Sequence, residues 1–309
     1  MIFERRHIIS TKDFSREEID FILDRAQRLE PHARRGGLDL LKNRVVATLF
    51  FEPSTRTKLS FDTAVKRLGG ATIGFDSSES TSVVKGETLS DTIKIIESYS
   101  DAIVIRHPRE GAARMASEIS RVPVINAGDG AGHHPTQTLL DLYTMRKECK
   151  KPIGDLNVAI VGDLKYGRTV HSLAYALSLY KTRLYLVSPE QLRMPGSIIN
   201  YLREHGVELL ETPRIEDALR ETDVLYMTRI QKERFPDPSE YIKVAGSYRI
   251  TTDTLGDVKN DMIIMHPLPR VNEIDPGVDS TRHARYFQQA FYGVPIRMAV
   301  LSLVLEKEA

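Results

Sequence analysis

Apolar residues recur along the chain in two patterns that alternate with each other. An unbroken apolar run such as VVATLFF at 45–51 is typical of a buried strand, whereas apolar residues spaced three and four apart are typical of a helix. The first helical pattern follows Ser15 and Glu18, which have the spacing of a capping box. We expect this helix to end near Pro31.

Strand and helix patterns alternate on both sides of a break near residue 150. Strands are predicted at 45–51, 71–75, 101–106, 122–127, 157–162, 183–188, 207–211, 223–228 and 262–267. Helices are predicted from near Thr55 to 68 and at 88–99, 110–120, 136–148, 168–180, 196–205 and 290–305, with a further short helix between 211 and 223. This alternation predicts an α/β fold with two doubly wound domains, each a parallel sheet covered by helices on both faces. We expect one domain at 1–150 and the other at 151–289, with the last helix packing back onto the first.

Charge and cysteine content exclude several classes of protein. The 43 basic and 42 acidic residues give a net charge of +1, so no overall field would draw the chain to nucleic acid or to a membrane surface. The single cysteine, Cys149, excludes an intrachain disulfide and argues against a cysteine-based zinc site. Since no signal-peptide pattern or membrane-spanning apolar run is apparent, we expect a cytoplasmic protein.

Three hydroxyls and one guanidinium are concentrated in STRT at 54–57, directly after the first predicted strand. A helix that begins near Thr55 would present backbone N–H groups and the positive end of its dipole there. Ser54 and Thr57 add hydroxyl donors, and Arg56 adds a planar fork that matches phosphate oxygens. The segment predicts a phosphate site, although ordinary helix capping explains these four residues equally well when they are taken alone.

Donor-rich segments also occur at the ends of three other predicted strands. Arg106 and His107 end one strand, His134 and Gln137 follow another, and HPLPR at 266–270 follows the last. Because ligands of parallel α/β sheets bind beyond the carboxyl ends of the strands, we expect these segments to form binding sites.

These segments together resemble the transcarbamoylase family, and its aspartate-using members most of all. The resemblance spans essentially the whole chain. It rests on STRT (54–57), KGETLSDT (85–92), RHPREGAAR (106–114), HPTQTLLDL (134–142), TRIQKER (228–234) and HPLPR (266–270). It implies that the substrates are carbamoyl phosphate and L-aspartate and that the products are N-carbamoyl-L-aspartate and phosphate, as in de novo pyrimidine biosynthesis. It also implies that no metal or other cofactor takes part.

By this resemblance, the first half of the chain would bind carbamoyl phosphate. The phosphate would be held by Ser54, Thr55, Arg56 and Thr57. The carbonyl oxygen, on which negative charge gathers during the reaction, would be bound by Thr57, Arg106 and His134, with Gln137 near the carbamoyl amide. The resemblance gives no catalytic role to His133, which departs from the family pattern, and leaves that of His107 open.

The second half would bind the acceptor. Two arginines, Arg168 and Arg229, and the amide of Gln231 would bind the two carboxylates of aspartate, because arginine recognises carboxylates bidentately. In the family the Leu268–Pro269 bond is cis, and the carbonyls of Pro267 and Leu268 face the substrate amine.

A polar loop at 76–87 supplies Ser82 and Lys85, which in this family reach the active site of a neighbouring subunit. The resemblance therefore implies a homotrimer with shared active sites. The spacing between Ser82 and Lys85 is one residue shorter than in some members, so the phosphate contact is either Thr81 or Ser82. Many relatives also assemble with zinc-bearing regulatory chains, and the sequence does not decide whether this chain does.

An ornithine-using transcarbamoylase is the nearest alternative, since STRT and HPTQ occur there too. Its ornithine signature contains tryptophan and Ser-Met-Gly, and its late motif is His-Cys-Leu-Pro. This chain has no tryptophan and carries His-Pro-Leu-Pro at 266–269. A catalytically inactive relative would have lost some of the residues named above, and all of them are present.

Overall fold

Strands and helices alternate along the residues that the computed structural model describes, which are 3–230, 237–244 and 246–306. The strands are β1 (Val45–Phe50), β2 (Ala71–Phe75), β3 (Ala102–His107), β4 (Val124–Asp129), β5 (Asn157–Val161), β6 (Arg183–Val187), β7 (Leu209–Thr212), β8 (Val224–Met227) and β9 (Ile263–Met265). The helices are α1 (Arg16–Arg35), α2 (Thr55–Arg67), α3 (Leu89–Ile96), α4 (Ala112–Ile119), α5 (Pro135–Glu148), α6 (Arg168–Ser178), α7 (Gly196–Glu204), α8 (Glu216–Leu219), α9 (Pro238–Val244) and α10 (Tyr286–Leu305).

Two parallel sheets carry these elements. The first has the strand order β2-β1-β3-β4 and the second the order β7-β6-β5-β8-β9. All neighbouring strands in both sheets run parallel. The predicted α/β class with two parallel sheets is therefore confirmed.

The chain divides into two compact units. Unit 1 contains residues 1–140 and 291–309, and unit 2 contains residues 141–290. The division between the units falls inside α5 and α10, and not at the break near residue 150 that the sequence pattern indicates. The domain bounds expected from the sequence, 1–150 and 151–289, stay a prediction about where the binding functions separate.

The central strands of each sheet are buried on both faces, whereas the edge strands β2 and β7 are partly exposed. In unit 1, Leu49, Ile103 and Val124 belong to one cluster together with apolar residues of α3 and α4. In unit 2, Ala159 and Leu225 belong to a second cluster that includes residues as late as Tyr286. Burial on both faces explains why these strands appear in the sequence as continuous apolar runs rather than as alternating patterns.

Helix bounds differ most from the predictions near prolines. Helix α1 passes through Pro31 and ends at Arg35, where Gly36 adopts a positive φ of 70° and its N–H binds the carbonyl of His32 at 2.8 Å. Helix α10 likewise contains Pro295 and begins at Tyr286, before the expected start. Helix α9 was not predicted. No helix among the described residues is long and apolar enough to cross a membrane.

Candidate active site

The N-terminus of α2 presents donors that no described residue of the chain uses. Ser54 is the N-cap residue, but its side chain makes no capping hydrogen bond, and the first turn contains no acidic residue. The hydroxyls of Thr55 and Thr57 also have no hydrogen-bond partner in the described part of the chain. A helix end with unsatisfied N–H groups and no anionic cap is well suited to bind an oxyanion.

Arg106 adds a buried positive charge beside this helix end. Its side chain is only 10% exposed, and its Nη2 donates to Oε1 of Glu52 at 3.2 Å. Its Nη1 donates to the carbonyl of Ala127 at 3.2 Å, so the guanidinium is held both by the segment after β1 and by β4. Partial burial and the nearby charge of Arg106 lower the pKa of Arg56. The two predicted arginines therefore lie within electrostatic reach of each other.

His134 and Gln137 begin α5. His134 is 5% exposed, and its carbonyl accepts the N–H groups of Gln137 at 2.9 Å and Thr138 at 3.3 Å, as expected for an N-cap residue. Pro135 occupies the first helical position, where its missing N–H costs nothing. This backbone role fixes the position of His134 independently of its imidazole ring.

A network of hydrogen bonds shapes the loop before α5. Nδ2 of the fully buried Asn126 donates to the carbonyl of Ile9 at 2.9 Å, to Oδ1 of Asp129 at 3.0 Å and to the carbonyl of His133 at 3.2 Å. The N–H of His133 donates to Asp129 at 2.8 Å. The backbone of His133 is thus fixed, whereas its Nδ1 has no hydrogen-bond partner among the described residues. Partial burial lowers the pKa of His133.

His107 is occupied by local contacts. Its Nδ1 accepts the N–H of Arg109 at 3.0 Å, and its ring lies 5.0 Å from that of Phe51. Burial and then the charge of Arg109 lower the pKa of His107. A neutral ring that accepts a backbone N–H orders the loop after β3, which agrees with an orienting role.

In unit 2, the segments that follow β5 and β8 contact each other, and each of them leads to one of the two predicted arginines. Oγ1 of Thr228 accepts the N–H of Asp163 at 3.1 Å. Gly162 has a φ of 121°, and a Cβ there would lie 2.5 Å from the carbonyl oxygen of Thr228. This close approach places Arg168, at the start of α6, and Arg229, directly after Thr228, on neighbouring strand ends of the sheet.

The third acceptor residue, Gln231, lies outside the described residues. Arg168 and Arg229 are both half-buried.

The HPLPR turn follows β9, the neighbour of β8. Nδ1 of His266 accepts the N–H of Leu268 at 2.8 Å, and its Nε2 lies 2.8 Å from Oε1 of Glu273. Burial alone would raise the pKa of Glu273, but its hydrogen bonds to His266 and to backbone N–H groups outweigh burial and lower it to about 2. The carbonyls of Pro267 and Leu268 thus belong to a turn held at both ends, and the Leu268–Pro269 bond is cis.

A series of hydrogen bonds between buried polar side chains ends at the backbone of this turn. Asp141 accepts from the hydroxyl of Tyr226 at 2.8 Å and from Nε2 of Gln289 at 2.7 Å. Oε1 of Gln289 accepts the N–H of His266 at 2.8 Å. Gln289 was not predicted from the sequence, because its partners are distant in the chain.

The sequence analysis also gave no role to Glu52. Its position two residues before STRT was the only available signal. Ser82 and Lys85 lie in a 3₁₀ turn, Ser82–Lys85, and both are exposed. Thr81 uses its hydroxyl to donate to the carbonyl of Ser78 at 2.7 Å, which favours Ser82 as the residue whose hydroxyl is available to a ligand. No cluster of metal-ligating side chains occurs among the residues described.

Two family models match the chain. Residues 6–147 match the carbamoyl-phosphate-binding domain of aspartate/ornithine carbamoyltransferases, and residues 154–304 match their aspartate/ornithine-binding domain.

Curated and solved relatives agree with these matches. The aspartate carbamoyltransferase catalytic subunit of Methanocella arvoryzae is 77% identical over 305 residues, covering 99% of both chains, and that of Thermococcus kodakarensis is 58% identical over 306 residues, covering 99% of this chain and 98% of its own. The structure of the catalytic subunit of M. jannaschii aspartate transcarbamoylase aligns with a TM-score of 0.89 at 55% identity, covering 96% of this chain and 97% of that one. The Trypanosoma cruzi aspartate transcarbamoylase in complex with carbamoyl phosphate and aspartate aligns with a TM-score of 0.93 at 39% identity, covering 98% of both chains.

Proposed function

Because the chain belongs to the aspartate/ornithine carbamoyltransferase family, we infer that it catalyses carbamoyl transfer from carbamoyl phosphate to the amine of L-aspartate. The products are N-carbamoyl-L-aspartate and phosphate, and the reaction belongs to de novo pyrimidine biosynthesis. The amine attacks the carbonyl carbon, the C–N bond forms, and the C–O bond to phosphate breaks. Negative charge develops on the carbonyl oxygen and on the leaving phosphate, so the enzyme must present donors to both.

We place the phosphate group at the N-terminus of α2 in this proposal, because the donors there are not used by any described residue of the chain. Ser54, Thr55 and Thr57 would donate hydroxyls, and Arg56 would add its charge to that of the helix dipole. Such an arrangement stabilises the extra negative charge that builds up on the leaving phosphate more than it stabilises the acyl phosphate from which the group departs, which is the differential binding that accelerates a reaction.

Thr57, Arg106 and His134 would act on the carbonyl oxygen, with Gln137 near the carbamoyl amide. The support lies in their burial and in the fixed guanidinium of Arg106, held by Glu52 and Ala127. Donors that are already oriented need no reorganisation when charge develops, and a removed donor of this kind typically costs about 10²–10³ in kcat.

Unit 2 would bind aspartate. Arg168 and Arg229 start from neighbouring strand ends and offer forks to the two carboxylates, with Gln231 as a third contact. The carbonyls of Pro267 and Leu268 would accept hydrogen bonds from the attacking amine. Because the turn that carries them is held by His266 and Glu273, these acceptors are preorganised.

We propose that the active assembly is a homotrimer in which Ser82 and Lys85 enter the site of a neighbouring copy. The 3₁₀ turn that carries both residues is exposed in the single chain, and Val84 beside them is 67% exposed. Leu59 on α2 is 59% exposed, so apolar surface lies on the same unit. Exposed apolar side chains of this kind support burial against another copy.

Further partners and location are part of the same proposal. The curated relatives carry the name catalytic subunit, which supports an assembly that includes a second kind of chain, and a zinc-bearing regulatory chain is the partner that the family resemblance suggests. A cytoplasmic location follows from the family and from the pathway.

A colorimetric assay for ureido product tests the acceptor. The wild type is given carbamoyl phosphate with either L-aspartate or L-ornithine, and Arg229→Gln is measured beside it. We expect product from aspartate only, and an Arg229→Gln enzyme whose KM for aspartate is raised about 100-fold, because a charge-assisted hydrogen-bond pair is lost. The KM for carbamoyl phosphate should change little.

Arg220→Gln is the matched control, since Arg220 is 77% exposed and, among the residues that the structure describes, pairs only with the exposed Asp257. Product from ornithine would contradict the proposed acceptor. Equal effects of the two substitutions would contradict the role of Arg229.

A further inference from the structure

A cavity of about 320 Å³ lies in unit 1 at the amino ends of the strands. Its wall includes Arg44, which directly precedes β1, Asp101, which directly precedes β3, and Pro123, which directly precedes β4. The STRT segment and Arg106 lie at the opposite, carboxyl ends of these parallel strands. The cavity is therefore separate from the phosphate site proposed above.

Arginines from three separate segments line this cavity: Arg5, Arg44 and Arg121. Nη1 of Arg44 donates to Oδ1 of Asp101 at 2.6 Å, while Oδ2 of Asp101 accepts the N–H of Val45 at 2.9 Å. This pair is satisfied internally and fixes one guanidinium in the wall.

The other two arginines are anchored by their backbones, not by their charged ends. The N–H of Arg5 donates to the carbonyl of Val304 at 3.1 Å, and the N–H of Arg121 donates to Oε2 of Glu97 at 2.7 Å. Neither guanidinium makes a hydrogen bond or ion pair with any residue in the described part of the chain. Arg5 also has a positive φ of 57°, a conformation that costs free energy for a residue with a Cβ. The fold thus holds Arg5 at the cavity in an unfavourable backbone conformation.

The remaining wall is suited to a small organic molecule. Glu4 is the one lining carboxylate outside the Arg44–Asp101 pair, so the two unpaired guanidiniums leave the lining with an excess of positive charge. Leu305 and Val304 contribute apolar surface. The volume is at the lower end of the range for small-molecule sites, about 300–1,000 Å³.

We propose that this cavity binds a small phosphorylated molecule, with Arg5 and Arg121 on the phosphate and the apolar wall against the organic part. A phosphate group carries up to two negative charges and several acceptor oxygens, and guanidinium forks match that geometry. A monocarboxylate offers fewer acceptors to guanidiniums that approach from different segments. The cavity lies at the amino ends of the strands and the proposed phosphate site at their carboxyl ends, so a ligand in the cavity does not compete with carbamoyl phosphate.

Titration calorimetry on the full chain tests this site. Ribose 5-phosphate and pyrophosphate are the phosphate probes, and succinate is the carboxylate probe. Excess N-(phosphonacetyl)-L-aspartate, which binds the T. cruzi neighbour, is present so that the candidate active site contributes no heat. We expect both phosphate probes to bind, and Arg5→Gln and Arg121→Gln each to weaken binding about tenfold or more, because each removes a charge-assisted hydrogen bond.

Arg220→Gln again serves as the exposed control and should bind as the wild type does. All of these variants keep the STRT segment, so a difference in binding among them cannot arise at that segment. The test of the cavity therefore does not depend on the proposed function. Absence of binding, or binding unchanged in both Arg5→Gln and Arg121→Gln, would overturn the site. Succinate bound as tightly as the phosphate probes would overturn its assignment to phosphate. If one variant is unstable, the other gives the same comparison.

Discussion

Nη2 of Arg106 donates a hydrogen bond of 3.2 Å to Oε1 of Glu52, which joins the end of β3 to the segment directly after β1. The guanidinium is largely buried, whereas the Glu52 side chain is 39% exposed. Glu52 therefore orients a buried cation from the edge of the site and leaves part of its own surface open to ligand and solvent.

Removing this carboxylate should reduce catalysis without unfolding the chain. We expect Glu52→Ala to lower kcat/KM for carbamoyl phosphate about tenfold, because Arg106 loses a charge-assisted hydrogen bond worth roughly 1.5–3 kcal/mol. Glu52→Gln keeps one acceptor and should lose less. Steady-state kinetics of both variants would measure the difference, and an alanine variant as active as the wild type would show that Arg106 is oriented by its other contacts alone.

The adjacent histidines provide a matched pair for the oxyanion role. His134→Ala should lower kcat about 10²–10³-fold, as expected for the loss of one preorganised donor. The backbone of residue 134 caps α5 through its carbonyl, so the fold should survive this substitution. His133→Ala removes a partly buried ring whose Nδ1 has no partner in the described region, and its kcat should stay within about twofold of the wild type because no hydrogen bond of that atom is lost.

Circular dichroism of both histidine variants would verify that the helix content is retained. A strong loss of kcat in His133→Ala with a normal fold would mean that the two residues had been assigned the wrong way round.

Much of the fold was predictable because the strands are short apolar runs, each ended by residues that interrupt the apolar pattern. Predictions were least accurate where tertiary packing overrides a local signal, as at Pro31, which lies inside α1 although proline usually ends a helix. The start of α10 was also misplaced, since the helix already includes residues 286–289, where the sequence pattern is weak.

The candidate site was predictable only where its residues are contiguous. The STRT segment could be recognised as a candidate site because four consecutive donor side chains follow one predicted strand. By contrast, the partnership of Glu52 with Arg106 spans 54 residues, and that of Asp141 with Gln289 spans 148. No local pattern carries such pairings, because they are created by the way distant strands and helices pack in the folded chain.

Gly162 offers a stability test for unit 2. Its φ of 121° and the 2.5 Å that would separate a Cβ from the carbonyl oxygen of Thr228 predict that Gly162→Ala is destabilising by about 2–4 kcal/mol, from backbone strain and overpacking together. Gly206→Ala is the control, since Gly206 also has a positive φ, of 72°, but apart from its chain neighbours no atom of the described residues lies within 4 Å of the added Cβ. It should cost only about 1–2 kcal/mol of strain.

Urea unfolding would measure both glycine variants. Equal destabilisation would show that contact with Thr228 contributes nothing and that β5 and β8 can separate at this point without cost.

Cys149 should be chemically inert in the folded chain. Burial and then the charge of Asp223 raise the pKa of its thiol to about 12, so the reactive thiolate is scarce at neutral pH. We expect alkylation by iodoacetamide at pH 8 to be at least about 100-fold slower than in the urea-unfolded chain, because the thiolate fraction falls about tenfold for each unit of pKa. Mass spectrometry would follow the reaction. Comparable rates in the two states would contradict this picture of its surroundings.

The pair of His266 and Glu273 should make stability depend on acidity. The pKa of Glu273 is lowered from 4.5 to about 2, so its carboxylate stabilises the folded chain above the unfolded pKa, and this contribution is lost as the pH falls from about 4.5 towards 2. At pH 7 we expect Glu273→Gln to be less stable than the wild type by up to about 3 kcal/mol, at roughly 1.4 kcal/mol per pKa unit. The gap should shrink steadily in urea titrations carried out between pH 5 and pH 3, because the carboxylate of Glu273 takes up a proton in the unfolded chain over this range while it stays ionised in the folded chain. A gap that stays constant over this range would show that the substitution acts through packing of the HPLPR turn and not through the charge of Glu273.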